Sequence, residues 1–203
     1  LNNVSNDWAL LLDADEALTP ELQEEIKEVL SSETPFDGYE LPRQEQMFWR
    51  MCSRFTRYNH QLRLFRTSKG KLSNDAVHAD PKVEGQVGKL KKPFLHFGEI
   101  NIHTKVAKIN NYSSGMVEEK VAKGKRGSII MCIFYPTWTF IQSYLFKRNF
   151  MNGSAGFISS VVLAQYAFLK YAKVHEHLKF STLGNSMLPM NAPVQLTQPY
   201  VPK

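Results

Sequence analysis

Asp13, Asp15 and Glu16 place three carboxylates within four positions of the stretch "WALLLDADEALTPEL", residues 8 to 22. Carboxylates this close repel one another, so keeping all three ionised calls for a counter-charge. A divalent cation is the economical one. The Asp-x-Asp spacing lets two carboxylates converge on one hard ion, and such ions usually share their oxygen shell with substrate phosphates. The plainer alternative is a solvated acidic loop that precedes a helix.

The neighbouring residues say what must position these acids. Trp8 to Leu12 are continuously apolar rather than alternating, the pattern of a strand covered on both faces in a parallel or mixed sheet. Thr19 offers an N-cap, Pro20 suits the first helical position, and Leu22, Ile26, Val29 and Leu30 form one apolar stripe, predicting a helix over about 20 to 31. The acids therefore sit at the carboxyl end of a strand, where open α/β sheets hold their ligands. Further on, "YELPR" reads as a short strand ended by Pro42, and "QLRLFR" (61 to 66) alternates as a strand does. Gly70 turns the chain into a partner strand, and "FLHF" (94 to 97) is another apolar strand. Residues 46 to 58 mix aromatics with Arg50, Arg54 and Arg57 in no clear period, and 102 to 123 read as a single helix.

The net charge of +6 hides an asymmetry: residues 1 to 40 carry eleven acids against Lys27 alone, whereas residues 82 to 148 carry twelve Lys or Arg against four Glu. The first part suits cations and the second suits anions, whether phosphate-bearing substrates, an anionic membrane or nucleic acid. For nucleic acid, no module signature is present, neither an aromatic stacking pair on a sheet nor a spaced Cys/His set. Lys89, Lys91 and Lys92 fit general attraction better than a defined contact. Cys52 and Cys132 lack metal-ligand spacing and read as reduced core thiols in a reducing compartment. The 203 residues suffice for a proper core. They begin at Leu1, almost inside a strand and with no signal peptide ahead, as in a fragment or a trimmed chain.

Two uncharged stretches, 127 to 146 and 149 to 169, flank Lys147 and Arg148. Their lengths approach a membrane span, but Pro136, Gln142, Asn152, Gly153 and several serines make them poor ones. Tyr135, Trp138 and Tyr144, bracketed by Lys123, Lys125, Arg126, Lys170 and Lys173, suit the water-lipid boundary instead. The domain layout expected is a catalytic part over 1 to 126, apolar helices over 127 to 180, and a proline-bearing disordered tail over 181 to 203.

In order, "DWALLLDADE", "LPR", "QLRLFR", "VH", "FLHF", "YSSGMVEEKVAKGK" and "FKRNFMNGSAGFISSVVLAQYAFLKYAK" resemble the second half of bacterial family 2 glycosyltransferases, specifically those similar to the lipopolysaccharide core enzymes that add glucose to heptose. The likeness covers roughly residues 5 to 178. It implies an α/β fold of GT-A type, a Rossmann-like mixed sheet binding a nucleotide sugar, with a UDP- or ADP-linked donor expected. Asp13 and Asp15 match the element that holds Mg²⁺ or Mn²⁺ on the donor diphosphate, and His96 is a further candidate metal or phosphate contact. The part of the family's fold that holds the nucleobase is absent, so the chain would supply the metal and acceptor side of the site.

Such chemistry has fixed requirements. A metal offsets charge on the leaving diphosphate, and a carboxylate or histidine on the opposite face of the sugar accepts the acceptor hydroxyl's proton, which implies inversion. Relatives usually show Val-His-Glu where this chain has "VHADP". Asp80 is accordingly the candidate base, with His78 as its partner or as a metal or phosphate contact. A one-position shift in an extended segment turns a side chain to the other face, which makes His78 or Glu45 the alternative base. Arg63 and Arg43 match family positions and could grip the diphosphate or an anionic acceptor, since Arg forks fit phosphate oxygens. For both, a strand-end salt bridge to the acidic turn is the competing role, as a hydrogen-bonded structural histidine is for His78 and His96.

The expected activity is therefore inverting, metal-dependent sugar transfer to a lipopolysaccharide-core or other lipid-linked acceptor. The expected location is cytoplasmic and peripheral, on an anionic membrane surface at the inner face of the bacterial cytoplasmic membrane. The alternative is a non-catalytic remnant that binds a membrane or a partner through its basic, aromatic end.

Overall fold

The structure is a computed structural model that describes residues 6–72, 81–125 and 127–183. The chain divides into two compact units, residues 1–98 and 99–203.

The first unit is a mixed α/β layer. Strands β1 (Trp8–Leu10), β2 (Glu16–Leu18), β3 (Gly38–Met47), β4 (Arg50–Met51), β5 (Asn59–Arg66), β8 (Val87–Lys89) and β9 (Phe94–His96) form one sheet, ordered β1-β5-β3-β9-β2, with β4 and β8 also on β3. Strands β6 (Gly70–Leu72) and β7 (Pro81–Val83) pair separately. Pairing to β3 is parallel for β8 and β9 and antiparallel for β4 and β5, so the sheet is mixed, as expected. Helix α1 (Pro20–Ser31) starts where its sequence dictates: the Thr19 hydroxyl accepts the Leu22 N–H at 3.2 Å and donates to the Pro93 carbonyl at 2.8 Å. Its Leu22 and Ile26 pack with Tyr39, Leu41, Leu64, Leu90 and Phe94 into the core.

Several local expectations give way to tertiary context. The strand at Trp8 pairs only with β5 among the described residues, and Leu10 is 36% exposed rather than covered on both sides. Leu30, expected on the buried stripe of α1, is exposed. Strand β3 runs through Pro42 instead of ending there. On one side β3 pairs with β8 over residues 38–40 and with β9 over 43–45, and the proline, which has no N–H to donate, falls in the gap between them. The segment of unclear period begins with a tight hairpin, Met47 opposite Arg50, turned by Phe48 at φ 54°. Gly70 opens a strand that pairs with β7.

The second unit is helical: α2 (Ile102–Gly115), α3 (Val117–Ala122), α4 (Ile129–Ile141), a π-helical turn (Gln142–Phe146), a 3₁₀ turn (Asn149–Asn152) and the long α5 (Gly153–Leu183). The single helix expected over 102 to 123 is broken at Met116, just after Gly115, where the Met116 N–H turns back to the Tyr112 and Ser114 carbonyls. Helix α5 continues past the uncharged stretch into the first residues of the expected tail. Residues 184–203 lie outside the described residues. Cys52 and Cys132 are free and buried, and burial pushes the Cys52 thiol up to about 11.

Candidate functional site

Four strands of the first unit converge on the acidic turn. The chain leaves β1, is held to β5 by the Leu11 N–H donating to the Arg63 carbonyl at 2.8 Å, and closes a turn in which the Glu16 N–H donates to the Asp13 carbonyl at 3.0 Å. Strand β9 lies between β2 and β3, with His96 opposite both Glu16 and Glu45. Period-2 alternation puts Arg43 and Glu45 on one face of β3, where they form an ion pair.

Two basic side chains, Arg63 and His96, answer the three acids. Arg63, buried on β5 with its guanidinium over the Phe94 ring, donates through Nη2 to Asp13 Oδ2 at 2.8 Å and to Glu16 Oε1. The Glu16 side chain has no exposure at all, so Arg63 is what makes its charge tolerable there. Asp15 instead faces His96, whose Nε2 is 3.4 Å from Asp15 Oδ2, while His96 Nδ1 is 2.7 Å from Glu45 Oε2. The Glu45 hydrogen bond holds His96 above its ordinary pKa against the opposing effect of partial burial. Burial pushes Glu45 up, but His96 and Arg43 outweigh it and hold the carboxyl below its usual range.

The expected site residues are thus sorted by geometry. Asp15 and His96 come together. Asp13 turns away from them to Arg63, and Arg63 and Arg43 are engaged by carboxylates of the chain itself. Arg63 makes the salt bridge to the acidic turn, whereas Arg43 pairs with Glu45 on its own strand, and the Nε of each is buried without an acceptor among the described residues. Among the described residues no three His, Cys, Asp or Glu side chains gather as a ready metal cage. His78 and Asp80 lie outside the described residues. Glu45, named in the sequence only as a fallback base, is the residue that orients His96. Its one sequence signal is its place two positions after Arg43, on the same face of a strand.

The donor set present fits a hard cation in part. Asp15 and Asp13 are more than half exposed, and His96 offers Nε2 beside Asp15 while Glu45 accepts from its other nitrogen, the arrangement that fixes the tautomer of a ligating histidine. Two protein ligands are few, as is usual where substrate phosphates complete the shell.

No family model matches the chain. It is similar along most of its length to proteins named glycosyltransferases. An uncharacterized glycosyltransferase of Rickettsia felis is 29% identical over 187 residues, which cover 85% of this chain and 65% of the relative. The lipopolysaccharide core biosynthesis glycosyltransferase LpsC of Rhizobium meliloti is 30% identical over 179 residues, 87% of this chain and 66% of the relative. An uncharacterized glycosyltransferase of Rickettsia conorii is 28% identical over 185 residues. The chain spans just under two thirds of the length of these relatives.

Proposed function

We propose that the protein is an inverting, metal-dependent glycosyltransferase of GT-A type, moving a sugar from a nucleotide-sugar donor to a lipopolysaccharide-core or other lipid-linked glycan at the inner face of a membrane. The observation that carries this reading is the similarity, over 84 to 87% of the chain, to proteins named glycosyltransferases, one of them of lipopolysaccharide core biosynthesis. The acidic turn at the end of β1 supplies a site to match.

In this reading Asp15 and His96 would hold Mg²⁺ or Mn²⁺, which would supply positive charge for the leaving diphosphate. Glu45 accepts the His96 Nδ1 proton and keeps Nε2 turned toward Asp15. Arg63 acts inside the protein: by neutralising Glu16 and Asp13 it holds the turn in shape and leaves Asp15 for the ligand. The acceptor hydroxyl oxygen bonds to the anomeric carbon as the bond to the diphosphate oxygen breaks, and the hydroxyl proton passes to a base on the far face of the sugar. Asp80 is the first candidate for that base, with His78 beside it.

The test is calorimetric titration of UDP, then ADP, into the longest natural form of the protein with and without Mn²⁺, comparing wild type with Asp15→Asn. Binding that requires the metal and is lost in the variant is expected. Metal-independent binding would overturn the Asp15 assignment, and absence of binding by either nucleotide would overturn the transferase reading.

A further inference from the structure

The α4–α5 hairpin of the second unit carries many of its large apolar side chains on its outside. From α4 through the π-helical turn, Ile129–Phe146 is an uncharged run of 18 residues in which only Cys132 and Ser143 are buried. Ile130, Ile133, Phe134 and Trp138 stand exposed on α4, and Phe157, Val161 and Phe168 on α5. Separations of three, four and seven residues bring the members of each set to one side of their helix, giving it an apolar stripe. Aromatic contacts join the helices: the Phe157 ring packs edge-on against Phe140 and Tyr144, with centroids 5.9 and 5.8 Å away.

What the hairpin hides is small: Cys132, Ala155, Val162, Ala167 and Val174 are buried, together with a hydrogen-bonded polar cluster. Asn149 Nδ2 donates to Ser143 Oγ at 2.8 Å and to Ser160 Oγ at 3.2 Å, Ser160 Oγ donates to the Gly156 carbonyl at 2.8 Å, and Asn152 is buried as well. Exposed Thr137 donates back to the Ile133 carbonyl at 2.8 Å. Glycine brings backbones together at both ends: a Cβ on Gly156 would lie 1.8 Å from the Asn149 carbonyl oxygen, and one on Gly127 2.4 Å from the His175 nitrogen. Small residues at the contact, hydroxyls bonded across it and large apolar side chains outside are how helices pack where the solvent is hydrocarbon.

Charge identifies that solvent further. No Asp or Glu occurs between Glu119 and Glu176, whereas the interval holds eight bases, Lys120, Lys123, Lys125, Arg126, Lys147, Arg148, Lys170 and Lys173. The exposed amides Gln142 and Gln165 each stand five residues before a base, Lys147 and Lys170. Lys123 pairs with Glu119 and Lys173 donates to Asn110 and Ser114, yet the excess of bases beside an apolar face complements anionic lipid headgroups.

We propose that the α4–α5 hairpin is immersed in one leaflet of an anionic bilayer, its apolar stripes among the acyl chains and its lysines and arginines at the headgroups. This deepens the membrane part of the reading above and rests on none of its chemistry: a hairpin that stays dry would leave the sugar-transfer reading standing, and a failed nucleotide titration would leave the hairpin untouched.

The test uses the full chain with Trp8→Phe and Trp49→Phe, which leaves Trp138 as the sole reporter. It is floated with phosphatidylglycerol/phosphatidylethanolamine vesicles, with and without bromine on the acyl chains. Binding that survives about 1 M salt, where the Debye length is about 3 Å, and quenching of Trp138 by the brominated chains are expected. Ile130→Asp with Phe134→Asp, both at exposed positions, should lower partitioning by roughly a hundredfold, with unchanged circular dichroism in water. Release by salt without quenching would overturn immersion in favour of adsorption through the bases. Failure to bind vesicles, with self-association in water, would overturn it in favour of a protein covering the face. The wild-type chain in the same salt series answers the question even if the tryptophan replacements unfold.

Discussion

The two units solve the problem of burying polar groups in opposite ways. In the first, Leu22, Leu41, Leu64 and Phe94 fill the interior, and the buried cation Arg63 is engaged by Asp13 and Glu16. In the hairpin of the second, Ser143, Asn149, Asn152 and Ser160 are inside, and Ile133, Phe134 and Trp138 are outside. A sheet domain assembled in water must collect apolar side chains and compensate any charge it traps. The hairpin gains little from water on its outer face, which is the physical reason to seek another solvent for it.

The comparison yields tests of decreasing size. Arg63→Ala leaves the Glu16 carboxylate buried beside nothing positive and should destabilise the first unit by about 3–5 kcal/mol, read as a lower denaturant midpoint. A double variant with Glu16→Gln should recover part of the loss. Truncating a core residue such as Leu64 to Ala should cost about 2–5 kcal/mol, whereas Ile133→Ala, at a side chain 65% exposed, should stay within about 0.5 kcal/mol in water. If the two truncations cost the same, the outer face of α4 is not free and the contrast fails.

Acid should distinguish the units more gently. Burial raises the Glu99 pKa, but Lys105 and Lys108 overcome it and hold the carboxyl at about 2. The folded value lies below the unfolded one, so this contribution is complete above the ordinary carboxylate range and disappears as pH falls toward about 2. Glu99→Gln should erase about 1 kcal/mol of that acid dependence, measured by unfolding across the range. The smallest effect concerns the site. His96 sits above its ordinary pKa, so the stability it lends is fully present below its unfolded value and is lost as pH rises through the folded one. Glu45→Gln should bring the His96 value down in an NMR titration, and an unmoved His96 would remove Glu45 as its orienting partner.

Local signals in the sequence were legible because local physics set them. Thr19, Pro20 and the Leu22/Ile26 spacing define α1 without reference to anything distant, and the alternation of "QLRLFR" defines β5. The passage of β3 through Pro42 was not legible, since a proline is harmless in a strand only where no neighbour needs its N–H, and that depends on where β8 and β9 dock. The exposure of Leu10 likewise depends on which strands are available to cover β1. Of the polar residues that argued against a membrane span, Ser143, Asn152 and Ser160 are concealed by the hairpin's packing, whereas Gln142 and Ser154 stay exposed.

The sequence by itself determined that acids gather at the carboxyl end of a strand, that bases gather after residue 82, and that two uncharged helical stretches flank Lys147 and Arg148. Only the tertiary structure decided which charge answers which. Strand β5 crossing beside β1 delivers Arg63 to Asp13 and Glu16, and β9 lying between β2 and β3 sets His96 between Asp15 and Glu45. Arg63 lies 50 and 47 residues from Asp13 and Glu16, and His96 lies 51 residues from Glu45 and farther still from Asp15, and no periodicity reaches that far. Periodicity reports the face a side chain takes on its own element, whereas its partner is fixed by which elements pack together.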